Sequence, residues 1–320
     1  MNKQKMEQYI VDLDLPPEER WSSLIKIKKE VNELIQSYLQ DFKEADIIFS
    51  GIEIYKETII SDIYLKEIEG IAAICDFSAS EILTANLYYD LLKFYFGCTA
   101  FTVYNEGVMR HARNLDWHTD NNILSSYTKI FNFQRRGKTV FKTIGWPGFI
   151  GALSGVRPRA FSLTLNAVAS QDEPQIATPI SFLLRDVLEN ATSFQKAQSM
   201  LEQKPIISDC LILLSGTQKE EKIVLERTPI RCATRTSNED HIIVTNDYKI
   251  LDNEVTIESN MLRDTSFGRY TTTQELLREQ VPYDTNSCID ILKNENVMMG
   301  ITVQQMVFET NTGAITLIKT

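Results

Sequence analysis

From Trp21 onward the apolar positions Leu24, Ile25, Val31, Leu34, Ile35, Tyr38, Leu39 and Phe42 recur at intervals of three, four and seven, the stripe of an amphipathic helix. Pro16 and Pro17 stop that helix from extending backward, because proline lacks the N–H that a helical turn needs. A second helix is predicted from Ile60 to Cys75. A third has a start signal: Ser78 followed three residues later by Glu81 matches a capping box. Its apolar face, with Ile82, Leu83, Leu87, Leu91 and Leu92, carries the chain toward Tyr95. The first hundred residues thus read as helices.

At Gly97 the pattern changes. Cys98 to Tyr104 and Val108 to Trp117 read as strands joined by the turn Asn105-Glu106-Gly107. Further strands are predicted at Lys129 to Gln134, Thr139 to Ile144, Phe149 to Leu153 and Ala160 to Leu165, then helices at Ile180 to Glu189 and Phe194 to Gln203. Strands return at Ser208 to Leu214, Ile223 to Arg227 and Ile242 to Thr245. After two more helical stretches, Val303 to Phe308 and Ala314 to Ile318 flank Asn311-Thr312-Gly313 as a closing hairpin. Blocks of strands alternating with blocks of helices predict a layered α+β domain, with the helical first hundred residues packed beside it.

A length of 320 residues allows one large domain or two small ones, and 43% hydrophobic residues suffice for a sizeable core. The formal charge of -10 argues against nucleic acid, whose phosphates demand a cationic footprint, and against steady attachment to anionic membranes. No run approaches the roughly 18 apolar residues of a membrane span. Met1 to Leu15 carries no signal-peptide pattern, so the expected setting is cytoplasmic, or secreted or lysosomal had a leader been removed. The cysteines Cys75, Cys98, Cys210, Cys232 and Cys288 are scattered, without CxxC, which argues against structural zinc and a disulfide framework. No HExxH, GxSxG, P-loop or GxGxxG pattern occurs, and no metal or cofactor is expected.

Cys98 follows a glycine at the boundary between helical and strand patterns. It reads either as a buried structural cysteine or as a nucleophile. In the second reading, glycine's freedom lets the thiol approach the preceding carbonyl. Attack there makes a thioester, which water opens to leave Cys98 as a new N-terminus. A thiol of pKa about 8.5 then lies beside an α-amine of pKa about 7.7–8.0, which serves as its base. In His111-Ala112-Arg113-Asn114-Leu115-Asp116, alternation puts Arg113 and His111 on one face and Asn114 and Asp116 on the other. Arg113 would lower the thiol pKa and Asp116 would fix the amine, or the two form a surface ion pair. His111, His118 and His241 leave a papain-type Cys–His pair as a rival.

These residues resemble a known family. Tyr9-Ile10-Val11-Asp12-Leu13-Asp14-Leu15-Pro16-Pro17 with Arg20-Trp21, Gly70-Ile71-Ala72-Ala73, Cys98-Thr99 and the run from His111 to Asp116 are similar to motifs of the acid ceramidase and N-acylethanolamine acid amidase family, within the choloylglycine-hydrolase group of N-terminal-nucleophile enzymes. Gly148-Phe149-Ile150-Gly151 with Gly155, Phe161 to Asn166, Val187-Leu188-Glu189-Asn190 and Thr245-Asn246 continue the match in order. The resemblance implies a four-layer αββα sandwich with an added N-terminal helical segment, and autocleavage between Gly97 and Cys98. It divides the chain into a helical segment, 1–97, and a hydrolase core, 98–320. It implies Cys98 as nucleophile, Arg113 and Asp116 as its positioning pair, Asn246 as an oxyanion-hole donor, and a distal arginine, Arg269 or, as competitor, Arg263.

One departure stands out: ceramidase-type members follow the asparagine of the Phe161 to Asn166 run with a glutamate, where this chain has Ala167. Asp172 and Glu173 are the nearby carboxylates. The function implied is hydrolysis of lipid-like N-acyl amides (ceramide or N-acylethanolamine-like) through a cysteine acyl-enzyme, with the two cleavage fragments forming a heterodimer. Trp146, Phe149, Phe161 and Asn166 are the candidate substrate-binding residues. The alternative, motivated by Ala167, is a lipid- or amide-binding protein on the same fold that never matures.

Overall fold

In the structure, a computed structural model, residues 8–42, 52, 55–92, 96–117, 122–252 and 261–320 are described. Numbered along the chain, β1 (Gln8–Asp12), β4 (Lys129–Arg135), β5 (Lys138–Gly145), β6 (Ser154–Arg157), β7 (Phe161–Asn166), β8 (Cys210–Ser215), β9 (Lys222–Arg227) and β10 (Cys232–Thr236) form an eight-stranded sheet in that order. The second sheet has five strands in the order β11 (His241–Val244), β2 (Phe96–Asn105), β3 (Val108–Trp117), β12 (Thr302–Glu309) and β13 (Ala314–Lys319).

Side-chain alternation sorts the strands into layers. On the outer face of the large sheet, Phe133, Phe141, Phe161, Leu163 and Leu165 join the main core with Leu183, Leu184 and Leu201 of α6 (Ile180–Asn190) and α7 (Phe194–Gln203). The same core takes in the helices α1 (Lys28–Gln40), α2 (Asp62–Ala72), α3 (Ala79–Asn86) and α4 (Tyr88–Leu92). On the outer face of the small sheet, Phe101, Val103, Ala112 and Val307 pack on Leu277, Cys288 and Leu292 of α8 (Met261–Glu279) and α9 (Thr285–Leu292). Ala100, Leu211, Leu213 and Ile242 fill one part of the space between the sheets, and Ile130, Ile144, Met306 and Phe308 another. The result is the expected αββα sandwich. A short helix, α5 (Ile123–Tyr127), follows β3.

The Ser78–Glu81 capping box forms as the sequence predicts, with Ser78 Oγ accepting from the Glu81 N–H. The first hundred residues are not all helical, however. Gln8–Asp12 pairs in parallel with β4, and β2 begins two residues before Cys98. The alternation in β1 is masked in the sequence by Ile10, which is 55% exposed on the face where a polar residue is expected. The helix predicted from Trp21 begins as a 3₁₀ segment, Ser22–Ile27, and the third helix is divided at Leu87. Residues 149–153, predicted as a strand, instead follow a turn at Pro147-Gly148 as an irregular, bent stretch, and the strand lies one step later at Ser154–Arg157. Gly148 has φ +87, and the Ile150 and Ala152 N–H groups are taken by Asn86 Oδ1 and the Ser181 carbonyl, leaving no ladder to continue.

Candidate active site

β2 runs unbroken through the Gly97–Cys98 bond and pairs with β3 on both sides of it, Gly97 opposite Asp116 and Cys98 opposite Leu115. Cross-strand partners share a face, so Cys98 and Ala100 point between the sheets with Arg113, while Gly97 and Thr99 share the helix-facing side with Asp116 and Asn114. The strand thus offers its thiol to one layer and its neighbours to the other.

The thiol is buried, at 1% exposure. Arg113 Nη2 donates to its sulfur at 3.1 Å, and the S–H faces the Leu165 carbonyl at 3.7 Å. The guanidinium has only neutral partners besides: Nη1 donates to the Leu153 carbonyl at 3.2 Å and to Ser154 Oγ at 2.5 Å, and Nη2 also donates to the Leu165 carbonyl. Among the described residues no carboxylate lies within ion-pair distance of it, and its Nε has no partner. A buried cation satisfied only by dipoles favours an anion at the next atom, and that atom is Cys98 Sγ. In the uncut chain burial still dominates and pushes the thiol up, with Arg113 pulling it down and Asp116 adding to the rise.

The backbone nitrogen of Cys98 has its own partner, donating to Asn246 Oδ1 at 3.1 Å. Asn246 lies just beyond β11. Its N–H donates to Ser266 Oγ of α8 at 2.9 Å, and its Nδ2 donates to the Ala167 carbonyl at 2.8 Å. Arg269, also on α8, spans the group: Nη2 donates to Asn246 Oδ1 at 2.8 Å and Nη1 to the Cys98 carbonyl at 2.6 Å and Thr99 Oγ1 at 2.9 Å. Burial lowers the Arg269 pKa, against the pull of Asp116 and Cys98. The structure describes only the backbone of the competing Arg263, in α8.

Asp116 is fully buried, and Thr302 Oγ1 donates to its Oδ1 at 2.5 Å while Oδ2 has no partner. Burial raises its carboxyl above the usual range, opposed by Arg269, Thr302 and Arg113. Asn246 thus presents its oxygen, not its amide nitrogen, to Cys98.

Cys98, Arg113, Asp116, Asn246 and Arg269 come together; the other predicted residues divide. Trp146 meets Trp117 edge to face at 5.4 Å, and Trp117 stacks on Tyr38 at 5.8 Å and lies 5.3 Å from Tyr88. Trp117 pairs with Phe96, so this aromatic cluster adjoins the Gly97–Cys98 bond, and Phe149 joins it through Trp146 at 6.3 Å. Phe161 does not. It opens β7 on the α6 side, roughly 13 Å along the strand from Leu165. Asn166 is buried, its Nδ2 donating to the carbonyls of Val244 and Thr245.

Nor do the remaining candidates join. Asp172 pairs with Arg231 at 2.7 Å, and Glu173 is exposed, so neither fills the place that Ala167 leaves. His111 lies four residues along β3 from the partner of Cys98, roughly 13 Å away, bonded to Ser162, Thr164 and Ser215. His241 pairs with Glu239 at 2.9 Å opposite Val103. His118 lies outside the described residues. Among the described residues no group of three or more His, Cys, Asp or Glu could hold a metal, and no helix is long and apolar enough to cross a membrane. Ser154, Thr302 and Ser266 complete the group, although no motif in the sequence marks them.

Residues 105–310, well over half of the chain, match the family of acyl-coenzyme A:6-aminopenicillanic acid acyl-transferase, and residues 4–49 match the beta subunit of N-acylethanolamine-hydrolyzing acid amidase. Acid ceramidase of Balaenoptera acutorostrata scammoni is 31% identical over 254 residues, covering 70% of this chain and 64% of the relative. Acid ceramidase of Homo sapiens is 30% identical over 250 residues, covering 68% and 62%. The chain therefore spans somewhat less than two-thirds of these relatives' length. A Caenorhabditis elegans ortholog of N-acylethanolamine-hydrolyzing acid amidase superposes with a TM-score of 0.57 at 25% identity, over 67% of this chain and 93% of that one.

Proposed function

Because this chain belongs to the acyl-coenzyme A:6-aminopenicillanic acid acyl-transferase family, alongside acid ceramidase and N-acylethanolamine acid amidase, we propose that it is a self-processing amidohydrolase. It cuts its own backbone between Gly97 and Cys98 and then uses Cys98 to hydrolyse lipid-like N-acyl amides. The observation that carries this reading is that one residue has both of its reacting atoms engaged: Cys98 Sγ by Arg113 and Cys98 N by Asn246.

In the first reaction the Cys98 sulfur attacks the Gly97 carbonyl carbon. The C–N bond breaks, the nitrogen takes the proton, and a thioester joins Gly97 to Sγ. Water opens it, releasing a Gly97 carboxylate and restoring the thiol. The nitrogen freed at Cys98 is now an α-amine, still facing Asn246 Oδ1 and able to take the thiol proton. In turnover the sulfur attacks the substrate's amide carbon. The ammonium gives its proton to the departing amine, and water releases the fatty acid from the acyl-enzyme.

The acyl chain requires apolar lining, and the cluster of Trp117, Trp146, Tyr38, Tyr88 and Phe149 supplies it beside the reacting bond. The two fragments, 1–97 and 98–320, stay together as a heterodimer, since β1 is a strand of the large sheet. A second reading, a binding protein on this fold that is never cut, draws on Ala167 and on the raised thiol pKa.

Intact-mass analysis tests the choice. The enzyme yields one fragment ending at Gly97 and another beginning at Cys98, and Cys98→Ala yields neither fragment and no turnover. Only full-length mass after long incubation at acidic and neutral pH would favour the binding reading. A papain-type pair instead predicts that His111→Ala or His241→Ala ends activity in an uncut chain.

A further inference from the structure

One loop connects the segment before the proposed cut to the reactive thiol. Residues 146–153 join β5 to β6, and both main-chain groups of Ile150 are held by side chains. Its N–H donates to Asn86 Oδ1 at 2.7 Å, and its carbonyl accepts from Arg185 Nη1 at 3.0 Å, while Arg185 is gripped in turn by Glu67. Asn86 also donates to the Gly148 carbonyl at 2.9 Å. The loop has no slack: a Cβ at Gly148 would lie 3.2 Å from Val31, and one at Gly151 would lie 2.8 Å from Ser181. A few residues further on, Leu153 and Ser154 supply two of the acceptors that hold Arg113.

We propose that Asn86 is a positioning residue for Arg113, acting through residues 148–154, so that the segment before the cut sets the ionisation of the thiol after it. This rests on the reading of Arg113 and Cys98 given above. An amide suits the task because it offers a donor to Gly148 and an acceptor to Ile150 at once, and at 1% exposure no water replaces either bond. Arg113 has only neutral acceptors beside the sulfur, so its place follows theirs. When the loop loosens, the guanidinium withdraws and the thiol holds its proton more tightly.

The test measures the appearance of the fragment ending at Gly97, by intact mass on full-length chains across acidic and neutral pH, together with melting temperature. Asn86→Ala is expected to slow processing about fivefold and to move the acid limb of the profile up by about half a pH unit. Asn86→Asp keeps an acceptor for Ile150 and should fall between it and wild type. Ser78→Ala removes the cap of the same helix and should lower the melting temperature without moving the limb. An unmoved limb in Asn86→Ala, with a melting loss like that of Ser78→Ala, overturns the proposal. If Asn86→Ala does not fold, an unmoved limb in Asn86→Asp overturns it instead. Arg113→Lys separates the two claims. A limb that moves there but not in the Asn86 variants sinks the relay alone, whereas one that stays put sinks the reading of Arg113 as well.

Discussion

Arg113 donates to the sulfur of Cys98 at 3.1 Å from inside the layer between the sheets, where among the described residues no carboxylate pairs with it. The charge is therefore directed at the thiol. Arg113→Gln keeps a donor but removes the cation, and hydrogen bonds to charged groups contribute about 1.5–3 kcal/mol. Processing should slow roughly 10- to 100-fold, read from the mass time course. Wild-type processing in Arg113→Gln would remove Arg113 from the mechanism.

Glu67 and Arg185 stand on opposite sides of the proposed cut, both fully buried, with Oε2 to Nη1 at 2.5 Å and Oε1 to Nη2 at 2.6 Å. Trp21 Nε1 and Arg20 Nη1 add donors at 2.7 and 3.0 Å. Burial pushes the Glu67 carboxyl up, but the Arg185 charge and these bonds prevail and hold it below the ordinary range. Removing one partner strands a buried charge, so Glu67→Ala should cost about 3–5 kcal/mol in denaturant unfolding. A lowered carboxyl pKa gives stability that is present above the unfolded value of about 4.3 and lost as pH falls through the folded one. The clamp should therefore hold at mildly acidic pH. After processing, the two fragments should co-elute in gel filtration in both proteins, but come apart at a lower denaturant concentration in Glu67→Ala than in wild type.

His111 works in the other direction. Burial, then the Arg113 charge, lowers its pKa to about 3, so the folded chain keeps the ring neutral while the unfolded chain protonates it near 6.5. Between those values the unfolded state binds more protons, and stability falls as pH falls. The slope from this one group approaches about 1.4 kcal/mol per pH unit. His111→Gln should flatten the stability profile between those limits relative to wild type, measured by urea unfolding at several pH values. Parallel profiles would mean that the ring is already charged in the fold.

Much of this arrangement is legible in the sequence because it follows local rules. The Ser78–Glu81 box, the β2–β3 hairpin and the strand from Phe161 each announce themselves through capping or alternation. Cys98, Arg113 and Asp116 could be singled out because they lie in two adjacent strands. What stays hidden is contact across layers and between strands far apart in the chain. Ser154 meets Arg113 only after the sheets stack, Thr302 meets Asp116 only once β12 pairs with β3, and neither lies in a periodic pattern. Phe161 has the aromatic type of a lining residue, yet the pleat turns it toward α6, as Arg157 opposite it shows by donating to the Leu188 carbonyl at 2.9 Å. Residues 149–153 have the composition of a strand, but tertiary bonds from Asn86 and Arg185 bend them.

Asn246 separates two ways of assisting the reaction. The resemblance to known relatives makes it a donor to the oxyanion, whereas here its Oδ1 accepts from Cys98 N at 3.1 Å and Arg269 Nη2 at 2.8 Å while its Nδ2 serves Ala167. Asn246→Ala removes both functions and should lower turnover about 10²- to 10³-fold, the usual scale for loss of such a polar group at a reacting centre. Asn246→Asp has the same shape and keeps the acceptor for both donors, but it turns an oxygen toward the Ala167 carbonyl in place of a donor. If the residue acts by holding the Cys98 nitrogen and Arg269 through its oxygen, the aspartate should lose only about tenfold and retain most of the processing rate. If it acts through its N–H, the aspartate should be as inactive in turnover as the alanine. Comparing the two variants in processing and in turnover separately also tells whether the side chain holds one role before the cut and another after it, when the nitrogen it faces has become an amine.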